Sequence, residues 1–196
     1  MIVARSTPYL NLAAFCAKTR AHGPGLHSVV WVQGCSQHCR GCISPEWQSK
    51  DAAQLVRPRD LAELIHSQGV SGVTFSGGEP FLQAEGLVRL AEYLSGLDII
   101  CYTGYTIGQL LLSGNNDAAR LLGLVDVLID GPYIESLNDG KGLRGSTNQR
   151  VHRLSQRGKA MQFDFEGCAR NVEIQVSKHE TLLVGIPPHG MLEAIE

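Results

Sequence analysis

The chain has 196 residues, with Lys+Arg 17 against Asp+Glu 19 and a formal net charge of −2. That length suits one domain that buries a core without metal or disulfide staples, and the interspersed charge excludes the basic field that drives non-specific nucleic-acid binding. Apolar stretches are cut by Gly, Asp or Gln before they reach membrane-spanning length, and Met1 to Leu10 lacks a basic start followed by an apolar core, so no membrane partner and a cytoplasmic location are expected.

Short apolar runs alternate with helical patterns, the order expected of βα units around a parallel sheet. Ser28 to Gln33 is β-branched and aromatic and reads as the first clear strand, ending at Gly34. Pro58 to Gln68 carries Leu61, Leu64 and Ile65 at helical spacing behind a proline suited to a first turn. Val70 to Phe75 is a second strand, followed by a helix over Gln83 to Leu94 with Leu87, Leu90, Ala91 and Leu94 on one face. A third strand spans Asp98 to Tyr102, helices follow at Ile107 to Leu112 and Ala118 to Leu122, and Leu124 to Ile129 is a fourth buried strand. Tyr133 to Gln149 has no apolar periodicity and reads as a long loop, a feature usually functional inside a compact domain. Val172 to Val176 and Thr181 to Ile186 are expected to form a hairpin.

Six cysteines in a reducing compartment point to metal binding or catalysis rather than disulfides. Cys35, Cys39 and Cys42 read C-S-Q-H-C-R-G-C. Three thiolates on one short loop suit three corners of a 4Fe-4S cluster and leave the fourth iron open for chemistry. Soft thiolates also take zinc, which His38 within the triplet could complete, although no second ligand pair exists elsewhere. Cys101, in the run Ile99-Ile100-Cys101-Tyr102, reads as a small buried hydrophobe. Cys16 and Cys168 are isolated, and His152 and His189 read as lone surface or satisfied histidines.

The triplet, Gly77-Gly78-Glu79-Pro80, Thr103 and Asp130 each fall just after the end of a successive expected strand. In parallel βα architectures that edge gathers the loops that build sites, so one site is more economical than four unrelated features. The Gly77-Gly78 pair lets backbone approach a ligand closely. A branched side chain at Gly78 is accordingly expected to impair ligand binding more than cluster content.

The triplet followed by G-G-E-P resembles the radical S-adenosylmethionine (SAM) superfamily. Within it, W-V-Q-G-C-S-Q-H-C-R-G-C, T-F-S-G-G-E-P-F, Y-T-G-Y-T, V-L-I-D-G-P-Y and R-G-S-T-N-Q-R are similar to the activating enzymes of glycyl radical enzymes, those of the anaerobic (class III) ribonucleotide reductase most of all. The resemblance covers Gly23 to about Arg150. It implies a partial (β/α)6 radical SAM barrel in one domain over 1–196, with a core of about 23–150 and a C-terminal β-hairpin extension over 151–196. It further implies that Cys35, Cys39 and Cys42 hold the cluster, and that Gly77, Gly78 and Glu79 meet the methionyl end of SAM. Gly41 takes a place whose backbone meets adenine, Ile43 is carried over among the SAM contacts, and Asp130 matches a strand-end acid near the ribose or methionyl group. Pro132 departs from the Lys found nearby in the pyruvate formate-lyase activases, and the tail beyond Arg150 extends past the short ribonucleotide reductase activases.

The activity implied is reductive cleavage of SAM to methionine and a 5′-deoxyadenosyl radical, which takes a hydrogen atom from a glycine Cα of a partner enzyme. A flavodoxin- or ferredoxin-type reductant is implied as electron donor, and Arg144 to Arg150 is expected near the partner-binding face. Two other readings stand beside this one. The first is a radical SAM enzyme acting on another peptide or small molecule; the second is a non-enzymatic iron-sulfur or zinc protein, which leaves G-G-E-P and Asp130 unexplained.

Overall fold

Leu10 and Leu12 are buried while Asn11 between them is only partly so, the alternation of a strand with one covered face. In the computed structural model, which describes residues 9–176, 181–188 and 191, this is β1 (Leu10–Thr19). It pairs antiparallel with β2 (His27–Val32) on one side and β3 (Gln54–Val56) on the other. The sheet then runs parallel from β2 through β4 (Gly72–Gly77), β5 (Asp98–Thr103) and β6 (Val127–Asp130). An antiparallel β7 (Arg150–Arg153) ends it, giving the order β3-β1-β2-β4-β5-β6-β7.

This corrects the expected partial (β/α)6 barrel: the described residues build a mixed, open seven-stranded sheet with five α-helices. The reason lies in the connections. Helical crossovers join the parallel strands only: α1 (Pro58–Ser67) before β4, α2 (Ala84–Tyr93) before β5, and α3 (Ile107–Leu112) with α4 (Asn116–Leu124) before β6. After β6 the Gly-, Asn- and Ser-rich stretch 131–149 offers no apolar stripe for a crossover helix, so the chain returns antiparallel in β7 and then forms the short α5 (Gln156–Ala160). At the other edge β1 reaches β2 across a short connection, which likewise forces antiparallel pairing.

Successive strand residues point to opposite faces, and the core divides accordingly. Val30, Val32, Val73, Phe75, Cys101 and Leu128 pack with the buried faces of the helices, such as Leu61 and Ile65 of α1 and Leu87 and Leu90 of α2. Cys101 is fully buried there as a small hydrophobe, as its sequence context indicates. A wholly buried side chain such as Phe75 contributes about 1.5–3 kcal/mol through removal from water. The opposite face presents Val29 and Trp31 to Val184, and Ile100, Val127 and Ile129 to Leu143 and Phe165.

That second face is covered by Leu143 of the stretch 131–149 and by chain from beyond β7. β8 (Val172–Val176) and β9 (Thr181–Gly185) form the expected antiparallel hairpin. It is tied to β1 and the turn after it where the Gln175 amide donates to the Lys18 carbonyl (2.9 Å) and the Arg20 N–H donates to Glu173 (2.8 Å). His189 lies outside the described residues. Among the described residues no helix is long and apolar enough to cross a membrane.

Candidate functional site

The parallel register brings the ends of β2 and β4 level, Val32 opposite Gly77, and the ends of β5 and β6 level, Thr103 opposite Asp130. The cysteine loop leaves the first of these ends and is pinned on both sides. Gly34 N–H donates to the Trp47 carbonyl (2.8 Å), Cys35 N–H to the Gln48 carbonyl (3.1 Å), and the Gln33 amide to the Ser49 carbonyl (2.8 Å). Within it Cys42 N–H donates to the Cys39 carbonyl (3.3 Å). His38 adopts a positive φ of 48°, and its Nδ1 meets Gln48 Oε1 at 3.0 Å, so its ring is engaged outside the thiol triplet.

All three thiols are free, partly buried, and line one cavity that opens to solvent. Gly77, Gly78 and Glu79 line the same cavity, as do Ile43, Tyr102, Tyr133 and Gln149. Gly77 has φ 104°, and a Cβ on it would lie 2.4 Å from Val32 N. At Gly78 a Cβ would meet the Gly34 carbonyl oxygen at 2.3 Å and the Trp47 carbonyl oxygen at 2.9 Å. The two glycines therefore let the end of β4 press against the base of the cysteine loop, where Gly78 N–H bonds Val32 O (2.8 Å) and Glu79 N–H bonds Gly34 O (2.9 Å).

Glu79 is fully buried. Its carboxylate accepts from Phe81 N–H (3.0 Å), the Thr103 hydroxyl (2.8 Å) and Gly104 N–H (2.8 Å), joining the end of β4 to that of β5. Burial pushes its carboxyl above the usual carboxylate range, and these three donors pull in the other direction. Replacing Glu79 by Gln sets an NH2 against one of them. The expected result is a loss of about 2 kcal/mol in stability, read from the urea midpoint, and an unchanged midpoint would refute the clamp.

Two of the expected site residues are not brought into the cavity. Asp130 stands at its strand end, but its carboxylate accepts from Ile107 N–H (2.5 Å) at the start of α3 and lies 3.1 Å from His152 Nε2. Its neighbour Gly131 lines the cavity instead. Gly41 sits within the loop with the Glu135 carboxylate against it, 2.6 Å from where a Cβ would be. Arg144 to Arg150 is a built segment: Arg144 pairs with Asp139 (3.3 Å), and the Asn148 amide donates to the Pro132 carbonyl (2.7 Å). Sequence reasoning missed Tyr102, Tyr133 and Gln149 as cavity residues, although each lies in or next to a strand-end motif.

The donor set fits a cubane, since a 4Fe-4S cluster spreads its thiolates over separate irons and three thiols of one loop line the same cavity here. Gln37 N–H points at the Cys35 sulfur (3.4 Å), the kind of outer contact that supports a metal-bound thiolate. Burial pushes the Cys35 thiol up, so ligation has to displace its proton. Cys16, buried against Trp31, and Cys168, packed near Phe165, stand apart from the triplet.

Residues 21–152 match the family described as a 4Fe-4S single cluster domain. Similar proteins include the anaerobic ribonucleoside-triphosphate reductase-activating protein of Salmonella typhi, 30% identical over 148 residues that cover 68% of this chain and 92% of the relative. The proteins of that name from Escherichia coli (strain K12) and Enterobacteria phage T4 are 28% and 30% identical, covering 68% and 66% of this chain and 92% and 85% of their own. The chain belongs to the 4Fe-4S single-cluster family and, within it, to the family of anaerobic ribonucleoside-triphosphate reductase-activating proteins.

Proposed function

We propose that this protein is a radical SAM activase that generates a glycyl radical on an anaerobic ribonucleoside-triphosphate reductase, working as one domain over 1–196 in a reducing cytoplasm. The observation that carries this is the single cavity lined by Cys35, Cys39 and Cys42 together with Gly77, Gly78 and Glu79.

In this reading Cys35, Cys39 and Cys42 hold three irons of one 4Fe-4S cluster. When bound and reduced by a flavodoxin- or ferredoxin-type donor, the cluster supplies the electron that cleaves SAM reductively. The chain does the rest. Gly77 and Gly78 let the end of β4 pack directly against the base of the cysteine loop, which fixes that loop beside the cavity. Glu79 acts by joining two strand ends, since its bonds are spent within the protein. Ile43, Pro80 and Tyr102 give the cavity apolar wall that limits water around a reactive ligand.

Anaerobically reconstituted protein should carry one 4Fe-4S cluster, and Cys39→Ala should abolish it, as iron and sulfide analysis with electron paramagnetic resonance would read. Given the reductase, wild type should yield a glycyl radical signal. SAM cleavage without that signal would favour chemistry on another substrate, and stoichiometric zinc in place of iron would end the reading.

A further inference from the structure

The family match ends at residue 152, yet Arg170 lies with its side chain only 3% exposed beneath the cavity rim. We infer that Arg170 is a positioning residue for that rim, acting on Tyr133 and Gln149 through the loop 138–149. The inference rests on SAM occupying the cavity proposed above and adds a residue from outside the matched region to it.

The guanidinium spends most of its donors on one loop, with Nη1 also reaching the Pro187 carbonyl (3.4 Å). Nε donates to the Gly142 carbonyl (3.1 Å), while Nη2 donates to the carbonyls of Arg144 (2.6 Å) and Lys141 (3.2 Å). Nη1 donates to Asn138 Oδ1 (2.7 Å). A planar fork with five N–H groups suits several carbonyls at once, and an ammonium cannot copy it. Burial lowers the Arg170 pKa, and Asp139 and Tyr133 oppose that shift. The group remains a cation far above neutral pH.

Two short routes lead from Arg170 to the cavity. Asn138, held at its oxygen, donates through Nδ2 to the Tyr133 hydroxyl (3.3 Å). On the other side, the carbonyl of Arg144 is held directly before Gly145, whose N–H donates to Gln149 Oε1 (2.7 Å). Gln149 Nε2 then donates to the Gly131 carbonyl (2.7 Å), and Tyr133, Gln149 and Gly131 all line the cavity. Phe165, five residues before Arg170, packs with Leu143 of the same loop, so the segment grips the loop by apolar contact as well.

Arg170→Lys should weaken equilibrium binding of SAM to cluster-loaded protein about tenfold. In a Tyr133→Phe, Gln149→Ala background, where both routes are cut, the same change should cost less than about twofold, because residues acting through one network are not additive. Asn138→Ala leaves the Arg170 bonds to backbone in place and should weaken SAM by about threefold, which keeps the inference testable should Arg170→Lys fail to fold. An unchanged SAM affinity in both Arg170→Lys and Asn138→Ala, or a full tenfold loss from Arg170→Lys in the double-variant background, would overturn it. Because the readout is SAM affinity, a protein that binds SAM but never forms a glycyl radical would end the activase reading and leave this one standing.

Discussion

Gly78→Ala will lose cluster binding and SAM affinity together. From sequence, the Gly77-Gly78 pair reads as a surface for ligand approach, and a branched side chain at Gly78 is expected to impair ligand binding more than cluster content. The packing around Gly78 favours loss of both instead. A Cβ on Gly78 meets backbone, the Gly34 carbonyl oxygen at 2.3 Å and the Trp47 carbonyl oxygen at 2.9 Å, and backbone cannot rotate away as a side chain can. Both carbonyls belong to the bracket that fixes the cysteine loop, since Gly34 donates to Trp47 and accepts from Glu79. Even one methyl group has to push β4 and the cysteine loop apart, a strain on the order of 3 kcal/mol. Iron per chain in anaerobically reconstituted Gly78→Ala should fall severalfold, and the urea midpoint should drop with it. Full cluster content with weakened SAM binding would restore the ligand-approach role.

The helices and parallel strands were legible because each carries its own periodicity. Ile107 to Leu112 is helical over the expected residues, and Asp98 to Tyr102 lengthens by one residue only. The site was legible for a related reason, as cysteines and glycines at strand ends announce themselves by type and place. The barrel expectation failed because closure is not a property of any one segment. It depends on whether 131–149 makes a crossover, and a loop rich in Gly and Asn folds by side-chain bonds such as Gln149 to Gly131, which leave no periodic trace. β1 was missed although Leu10 and Leu12 alternate with Asn11, since its partly exposed later residues dilute the pattern. Arg170 was invisible because its meaning lies in carbonyls up to 29 residues away in sequence. Asp130 shows the opposite case, an acid in the expected place whose bonds turn it toward α3.

Stability should fall steeply between pH 6.5 and about 4, because two histidines are buried uncharged. His22 is 4% exposed, neither ring nitrogen has a partner among the described residues, and its ring stands edge-on to Trp31 and Tyr102. His27 is fully buried; the Thr74 hydroxyl donates to the His22 carbonyl (2.7 Å), so it accepts from His27 Nδ1–H (3.0 Å), and Nε2 has no partner among the described residues. Burial lowers both from 6.5 to about 4, with the neighbouring His27 adding to the effect on His22 and the Pro24 carbonyl opposing it on His27. In the unfolded chain each ring takes a proton near pH 6.5, while in the folded chain neither does until about 4. The unfolded state therefore binds more protons throughout that window, and stability present above it is lost as pH falls, by on the order of 3 kcal/mol per ring. Glu79 works in the opposite sense, since its raised pKa makes the folded state the better proton binder just above the usual carboxylate range. Urea unfolding at pH 5 should show an uptake of about two protons from this pair. His22→Phe keeps the ring contacts with Trp31 and Tyr102 and removes one titrating group, so its slope of stability against pH should shrink by about one proton, or about 1.4 kcal/mol per pH unit. Variant and wild type carry the same cysteines, so acid loss of a cluster affects both alike and the difference isolates the ring. An equal slope in the two proteins would show that His22 is not buried in its neutral form.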